Sequence, residues 1–391
     1  MRLLAPAIAL LLLATSAASL QQTSEEYRYT HPVGLFEDFG QSVAIAGGLA
    51  AAGTERSDAV WLFRDQGDWQ PEVIASPSSD EYSGFGGTVA LQGTMLVVGA
   101  PLEDFDSLNT GAVHWIDVSG VPRVVATVGT QESGAWQYLG SSLAFSGSVA
   151  VAGAPYHTNY TAPWPDGSNL GMAVVMKMFK GHVRALDLPN PQPEGGARFG
   201  ATVATDGRFV AVAAPGADGG TGRTWVYEIA HPVVPKAQLL YSMPGSPASG
   251  AAMVAADGLL AIELDGVIRI INLATGTETA RLDPRIAGTG PLDTECTTTP
   301  TGQTSCTQIG GVHPTFVGGY SAFDFTGDRM VAATGGALHD WQAGPQGWTL
   351  DVVLLEQLDH NAAVSLRFDG ERVMVGDGVD TVIILRLAAI L

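Results

Sequence analysis

The chain has 391 residues and a formal net charge of −20, with only three lysines, Lys177, Lys180 and Lys236. A surface of this charge repels the phosphates of nucleic acids and of anionic membranes, so neither is an expected partner. The two cysteines, Cys296 and Cys306, lack the spacing and the further ligands of a zinc or redox site. The 49 glycines are typical of an all-β protein with many turns.

The first residues have the pattern of a secretory signal peptide. Arg2 precedes an apolar run from Leu3 to Ala14, and Ser16-Ala17-Ala18 offers a small-x-small cleavage site. The run is shorter than the about 20 residues that span a bilayer, which argues against the alternative of an uncleaved anchor. We predict a signal peptide over residues 1–19, no further transmembrane segment, and a single secreted or cell-surface domain over residues 23–391.

A unit of related sequence recurs seven times along this domain. Each copy contains two short apolar segments joined by a tight turn such as Gly47-Gly48 or Asp206-Gly207, then a loop and a third segment with aromatic residues. A repeat of this kind indicates one structural unit copied many times. The four clearer copies begin at Phe39, Phe85, Leu139 and Phe199, and the three weaker ones at Gly250, Tyr320 and Asn361.

The repeat predicts a seven-bladed β-propeller. A fourth strand follows the third in several copies, as in Trp69–Ala75, Arg123–Val128 and Ala237–Ser242. Four antiparallel strands with a period of roughly 40–50 residues are typical of a propeller blade. The last copy ends after its third strand, so we predict that the strand-like segment Glu25–Val33 supplies its outer strand and closes the ring. Closure removes an exposed sheet edge, and we expect a monomer.

The recurring string FG-x-S/T-V-A … VGAP … GxV-aromatic resembles the FG-GAP repeat over residues 34–387, most clearly in the second copy. That resemblance implies the seven-bladed propeller of integrin alpha subunits, a fold also found in secreted and surface proteins of microbes. Integrin-type repeats often carry a DxDxDG calcium loop in the first hairpin. No DxDxDG occurs here, where the second copy has only Leu91-Gln92-Gly93-Thr94, so the repeats look like the short-turn microbial variant.

Two groups of residues stand out in the loops that the repeat places on one face. Glu103, Asp104, Asp106 and Asn109 crowd the loop Pro101–Gly111, and Asp104 with Asp106 offers oxygen ligands for calcium. The alternative is a solvated acidic loop. The other group is aromatic and forms either a platform for a sugar or peptide ligand or a packing layer over the blades. Its members are Trp136, Tyr138, Tyr156, Tyr160 and Trp164.

We predict a binding or adhesion module whose loop-rich face takes an extracellular protein or glycan, since no HExxH or GxSxG motif occurs. The alternatives are a hydrolase or lyase, in which Glu103, Asp104, Asp106 and Asp218 would converge, and a purely structural surface protein. Two modifications are also predicted. Cys296 and Cys306 form a local disulfide that closes the insert at residues 292–310, and Asn159 begins a glycosylation sequon.

Overall fold

The computed structural model describes residues 24–31, 38–130, 134–158, 169–230, 233–245, 252–264, 267–282, 293–298, 304–309, 322–334, 337–344, 347–354, 365–378 and 380–387. Within these ranges the chain forms seven four-stranded antiparallel sheets, which are the blades of a ring. The prediction of a seven-bladed all-β propeller is confirmed.

The strands follow the repeat, from the inside of each blade to the outside. Strand β1 is Ser24–Thr30 and belongs to the last blade. Blade 1 contains β2 (Val43–Ala46), β3 (Leu49–Thr54), β4 (Ala59–Asp65) and β5 (Trp69–Ala75). Blade 2 contains β6 (Thr88–Gln92), β7 (Met95–Ala100), β8 (Ala112–Asp117) and β9 (Arg123–Val128). Blade 3 contains β10 (Ser142–Ser146), β11 (Val149–Ala154), β12 (Met172–Phe179) and β13 (His182–Pro189). Blade 4 contains β14 (Thr202–Thr205), β15 (Phe209–Ala214), β16 (Arg223–Ala230) and β17 (Lys236–Pro244).

The three weaker copies form complete blades as well. Blade 5 contains β18 (Met253–Ala256), β19 (Leu259–Leu264), β20 (Val267–Asn272) and β21 (Glu278–Leu282). After it, β22 (Asp293–Thr298) and β23 (Thr304–Ile309) pair with each other as a separate hairpin. Blade 6 contains β24 (Ala322–Phe325), β25 (Arg329–Thr334), β26 (Ala337–Gly344) and β27 (Gly347–Leu354). Blade 7 contains β28 (Ser365–Phe368), β29 (Arg372–Gly376), β30 (Thr381–Arg386) and, outermost, β1.

Strand β1 closes the ring as predicted. It pairs antiparallel with β30, from Ser24 opposite Arg386 to Thr30 opposite Thr381. Its tyrosine side chains cross to blade 1, where the Tyr27 and Tyr29 rings lie 5.8 and 5.5 Å from the ring of Phe63. The first strand of the chain therefore stabilises both the last blade and its junction with the first.

The inner strands are apolar on both faces because each blade packs against two neighbours. In β7, Val97 is buried in the cluster shared with blade 3, while Leu96 and Val98 are buried in the cluster shared with blade 1. The seven innermost strands surround a central channel with a volume of about 730 Å³. Up-and-down strand order places the loops between second and third strands on one face, together with the linkers between blades. The tight turns lie on the other face.

Pairs of glycines explain why the repeat begins with Phe-Gly and continues to Gly-Ala-Pro. The phenylalanine is fully buried, and the glycine after it has a positive φ, as at Gly86 with 99°. Its carbonyl oxygen lies so close to a glycine of the preceding blade that a Cβ on that preceding glycine would overlap it. The pairs are Gly53 with Gly86, Gly99 with Gly140, Gly153 with Gly200, and Gly376 with Gly40.

A hydroxyl group completes three of these junctions. Thr88 Oγ1 donates a hydrogen bond of 2.7 Å to the carbonyl oxygen of Gly140, and Ser142 Oγ donates one of 2.8 Å to that of Gly200. Ser365 donates in the same way to Gly40 across the closing junction. The serine or threonine of the motif therefore binds the next blade, and the ring closes with the same contact that joins its clearest copies.

Little of the described chain is helical. A single 3-10 turn spans Glu55–Ser57, and one further turn, α1, spans Ala217–Gly220, where Asp218 and Gly219 have a positive φ. Within the described ranges, no helix has the length and apolarity needed to cross a membrane. The proposed signal peptide, residues 1–19, lies outside those ranges.

The insert after blade 5 differs from the loop that the sequence predicts, because β22 and β23 form a regular hairpin. Cys296 lies opposite Cys306 in that hairpin. Opposed residues of antiparallel strands have Cα atoms about 4.5–5.5 Å apart, which suits a disulfide. The disulfide itself stays a prediction.

Candidate functional site

The loop between β7 and β8 is joined to the linker between blades 2 and 3. The backbone N–H of Trp136 donates to the carbonyl of Leu108 at 2.8 Å, that of Tyr138 to Asn109 at 3.1 Å, and that of Leu139 to Thr110 at 2.9 Å. The two segments therefore form one surface on the loop-rich face. We call the side chains of Trp136, Tyr138 and Tyr156 on this surface the aromatic platform.

The repeat places a left-handed residue immediately before each Phe-Gly or Leu-Gly pair. Asp38, Gly84, Tyr138 and Arg198 occupy this position, with φ values of 55°, 70°, 58° and 57°. Glycine adopts this conformation freely, whereas a residue with a side chain is destabilised by about 1–2 kcal/mol. Blade 3 thus displays a tyrosine, and blade 4 an arginine, where blade 2 has the unstrained residue.

Two residues before Tyr138, Trp136 also has a left-handed conformation at a position where another blade has glycine. Its φ is 63°, and the equivalent residue of blade 4 is Gly196 with φ 78°. A bulky aromatic residue with positive φ is a conformational outlier. Two such residues in one linker, Trp136 and Tyr138, mark this segment as locally strained. Observed strain of this kind often indicates a functional surface.

The three rings of the platform contact one another in sequence. The centroids of Trp136 and Tyr138 are 6.2 Å apart with their planes at 41°, and those of Tyr138 and Tyr156 are 5.3 Å apart at 68°. Trp136 is 48% exposed and Tyr156 is 39% exposed. Burial, and to a smaller extent Tyr156, raises the pKa of Tyr138. The guanidinium of Arg198 lies 5.6 Å above the Tyr156 ring and ends the row.

Exposed apolar side chains are concentrated around the platform. Of ten exposed large apolar side chains in the described ranges, five lie in loops of this face, which is where the flexible connections of a ligand-binding scaffold are usually found. They are Tyr82, Phe105, Leu108, Trp136 and Tyr156. The other predicted members of the aromatic group, Tyr160 and Trp164, lie outside the described residues, as does the sequon residue Asn159.

Glu103 is a buried anchor of its loop. Its carboxylate Oε2 lies 2.7 Å from Nε2 of His114, and the two side chains are 9% and 2% exposed. Nδ1 of His114 lies 3.0 Å from Oγ1 of Thr127. The carbonyl of Glu103 also accepts the N–H of Gly111 at 2.9 Å, so one residue fixes both ends of the loop. Of the four predicted polar loop residues, Glu103 is thus turned towards the blade.

Asp104 and Asp106 are exposed, and Asn109 is half-buried. Oδ1 of Asp104 accepts the backbone N–H of Asn109 at 2.7 Å. The N–H of Asp104 donates to Asp80 at 2.9 Å, and that of Asp106 to Thr110 Oγ1 at 3.3 Å. Across the described ranges, no three His, Cys, Asp or Glu side chains are grouped as a metal site would require. Calcium at Asp104 and Asp106 stays a prediction, which a calcium titration during thermal unfolding would test.

The carboxylates that an enzymatic site would bring together are divided between two blades. Asp218 follows β15 in blade 4, two blades away from Glu103, Asp104 and Asp106. Its Oδ2 accepts a hydrogen bond of 2.7 Å from the Nε–H of Arg223. The backbone N–H groups of Asp218 and Gly219 bind the carboxylate of Glu194 at 2.9 and 3.0 Å. Asp218 thus pairs with Arg223, and Glu103 with His114, each within its own blade.

The comparison with known families agrees with the repeat and the ring. A model of the FG-GAP repeat matches residues 74–116, which run from the end of β5 to the end of β8. This match falls on the blade with the complete motif, and the remaining blades repeat its strand order. This protein is a β-propeller that carries an FG-GAP repeat.

A solved structure shares the propeller fold of this chain at low sequence identity. The WD40 β-propeller domain of Doa1 is 13% identical with a TM-score of 0.52, and the match covers 93% of this chain and 97% of that one. BamB from Moraxella catarrhalis is 12% identical with a TM-score of 0.46, over 89% and 85% of the two chains. No curated protein matches the sequence.

Sequence reasoning missed several residues of this surface. His114 and Thr127 hold Glu103, and Arg198 ends the aromatic row. A single histidine inside the apolar strand segment AVHWID was the available signal for the first. For Arg198, the signal was its position before Phe199-Gly200, which the FG-GAP repeat makes equivalent to Tyr138.

Proposed function

We propose that this FG-GAP propeller is a secreted or cell-surface binding module, and that its loop-rich face takes an extracellular protein or glycan. The observation that carries the proposal is the aromatic platform. Three neighbouring rings lie beside a guanidinium. Trp136 and Tyr138 stand on backbone with a positive φ, and Trp136 and Tyr156 are more than a third exposed. The predicted signal peptide and the acidic composition support an extracellular location.

Packing alone does not explain the platform. Glycine at the positions of Trp136 and Tyr138 would remove the strain of a left-handed side chain, and blades 4 and 2 have glycine there. Aromatic side chains offer large contact area at low conformational cost, which is why they dominate the energetics of binding surfaces. A binding role accounts for Trp136, whose ring is exposed although its backbone conformation is unfavourable.

The proposal is tested with the secreted full-length protein on an array of extracellular proteins and glycans. Trp136→Gly should abolish whatever binding is found, because it removes the most exposed ring. The fold should tolerate it, since blade 4 has a glycine, Gly196, at the equivalent position. Lys180→Gly is the matched control. Lys180 also has a positive φ, of 50°, but lies in the turn between β12 and β13 on the opposite face. Binding that survives Trp136→Gly, or an array without any ligand, would refute the proposed role of this face.

A further inference from the structure

We infer that the ligand of the aromatic platform is an uncharged polysaccharide whose chain turns along its length, with successive sugar rings stacked on Trp136, Tyr138 and Tyr156. This inference rests on the proposed function and specifies its ligand. It follows from the tilt of the rings, from the hydrogen bonds that the backbone beneath them already makes, and from the charges around them.

The free faces of the rings do not form one plane. Trp136 is tilted against Tyr138, and Tyr138 meets Tyr156 edge to face, so sugars that stack on the free faces through their apolar C–H groups must be rotated relative to one another. The ring planes turn by 41° and then by 68°. A flat, ribbon-like β-1,4-linked chain cannot lie on three such planes at once. A chain that turns at each linkage, such as an α-1,4- or β-1,3-linked glucan, can follow them.

The backbone at the platform is already hydrogen-bonded, which disfavours an extended peptide. The N–H groups of Trp136, Tyr138 and Leu139 bind the carbonyls of the loop that follows β7, and the N–H of Arg198 binds the carbonyl of Asn169 at 2.9 Å. A peptide that adds as a β-strand needs free main-chain groups at its docking edge. A polysaccharide has no such requirement, because side chains recognise its hydroxyls and rings.

A hydrogen-bond acceptor for sugar hydroxyls lies at one end of the rings, and donors lie at the other. At one end, Oδ1 of Asp104 is held by Asn109, the residue whose carbonyl binds the N–H of Tyr138. Nothing in the described part of the chain donates to Oδ2 of Asp104, which can accept from a hydroxyl. At the other end, the Arg198 guanidinium beside Tyr156 supplies donors. Acidic polysaccharides would meet exposed Asp104 and Asp106 and a chain of net charge −20, so the ligand is uncharged.

Affinity electrophoresis of the full-length protein tests the inference, with laminarin and soluble starch as turning glucans, hydroxyethylcellulose as the β-1,4 ribbon and alginate as the acidic chain. We expect retardation in laminarin or starch, about tenfold weaker in hydroxyethylcellulose and alginate. Trp136→Gly should abolish the retardation, because it removes the most exposed of the three rings, and Lys180→Gly should leave it unchanged. Circular dichroism and thermal unfolding establish that each variant is folded.

The outcomes separate this inference from the proposed function. Equal or stronger retardation in hydroxyethylcellulose or alginate would overturn the inference, as would no retardation in either turning glucan, or retardation that Trp136→Gly does not change. If a protein or a proline-rich peptide binds instead and Trp136→Gly abolishes that binding, the inference is wrong while the binding role of the face stands.

Discussion

The buried pair of Glu103 and His114 predicts strong energetic coupling between a loop and a strand. The perturbation is a double-mutant cycle of Glu103→Ala and His114→Val. Both replacements are residues that other blades have at the equivalent positions. Alanine replaces Glu103 because Ala217 is its equivalent in blade 4: the carbonyl of each accepts the N–H of the glycine that precedes the third strand. The third residue of that strand is His114 in blade 2 and the fully buried Val174 in blade 3.

The expected magnitudes follow from burial and from the contacts that remain. Glu103→Ala leaves Nε2 of a 2%-exposed histidine without its 2.7 Å partner, which costs about 2 kcal/mol. His114→Val leaves a carboxylate of 9% exposure without its partner, and isolating one member of a buried pair costs about 3 kcal/mol. The double variant removes both polar groups, so its cost should be about 3 kcal/mol, giving a coupling of about 2 kcal/mol.

Urea unfolding followed by tryptophan fluorescence measures each free energy of unfolding, and equal m-values show that the four proteins unfold in the same way. Glu72→Ala is the control. Glu72 pairs with Arg64 at 3.2 Å but is 40% exposed, so its loss should cost less than about 1 kcal/mol. Costs that add to within about 0.5 kcal/mol would show that the two side chains are not coupled and would refute the reasoning.

Three further predictions concern the ring. Gly153→Ala should lower the free energy of unfolding in urea by more than about 2 kcal/mol, because the new Cβ would overlap the Gly200 carbonyl. Gly120 has open space around it, so Gly120→Ala should be neutral or stabilising. Equal effects of the two substitutions would contradict the close glycine contact between blades. Burial raises the pKa of Tyr227 above that of an unfolded tyrosine. The protein is therefore most stable below the unfolded-state pKa of about 10, and part of its free energy of unfolding is lost as pH rises above that value. Tyr227→Phe should reduce that alkaline loss, and an unchanged urea midpoint profile between pH 8 and 11 would count against it. Deleting residues 1–30 should expose the edge of β30, lower the melting temperature and cause aggregation visible by light scattering, while deleting residues 1–23 should do neither.

The sequence predicts the ring well because its signals are local and repeated. Glycine turns such as Gly93-Thr94 and strands with two apolar faces specify each hairpin, and Trp69–Ala75 and Arg123–Val128 are strands with the predicted bounds. The closing strand was also predictable, since blade 7 would otherwise lack its fourth strand. These inferences need only short-range patterns and a count of copies.

The surface was less predictable because its contacts join distant parts of the chain. The grouping of Glu103 with Asp104 and Asp106 suggested one acidic site, but the fold turns Glu103 inwards to His114, a strand residue. The rings of Trp136, Tyr138 and Tyr156 do meet, yet their tilts and the arginine beside them follow from how blades 3 and 4 are set in the ring. In the threonine-rich insert, Pro300-Thr301-Gly302 lies between two runs of β-branched residues, a turn signal that could have indicated the hairpin.

The pairing of β1 with β30 determines how the ring responds to mechanical force. Ser24 lies opposite Arg386, so the segments before β1 and after β30 leave from the same end of the pair. Tension applied between them loads one rung of the ladder at a time, as in opening a zipper, instead of shearing all rungs together. A propeller stretched between its two termini would therefore open at the β1–β30 seam of blade 7. One held by a single terminus, and pulled through its loop-rich face, would leave that seam unloaded.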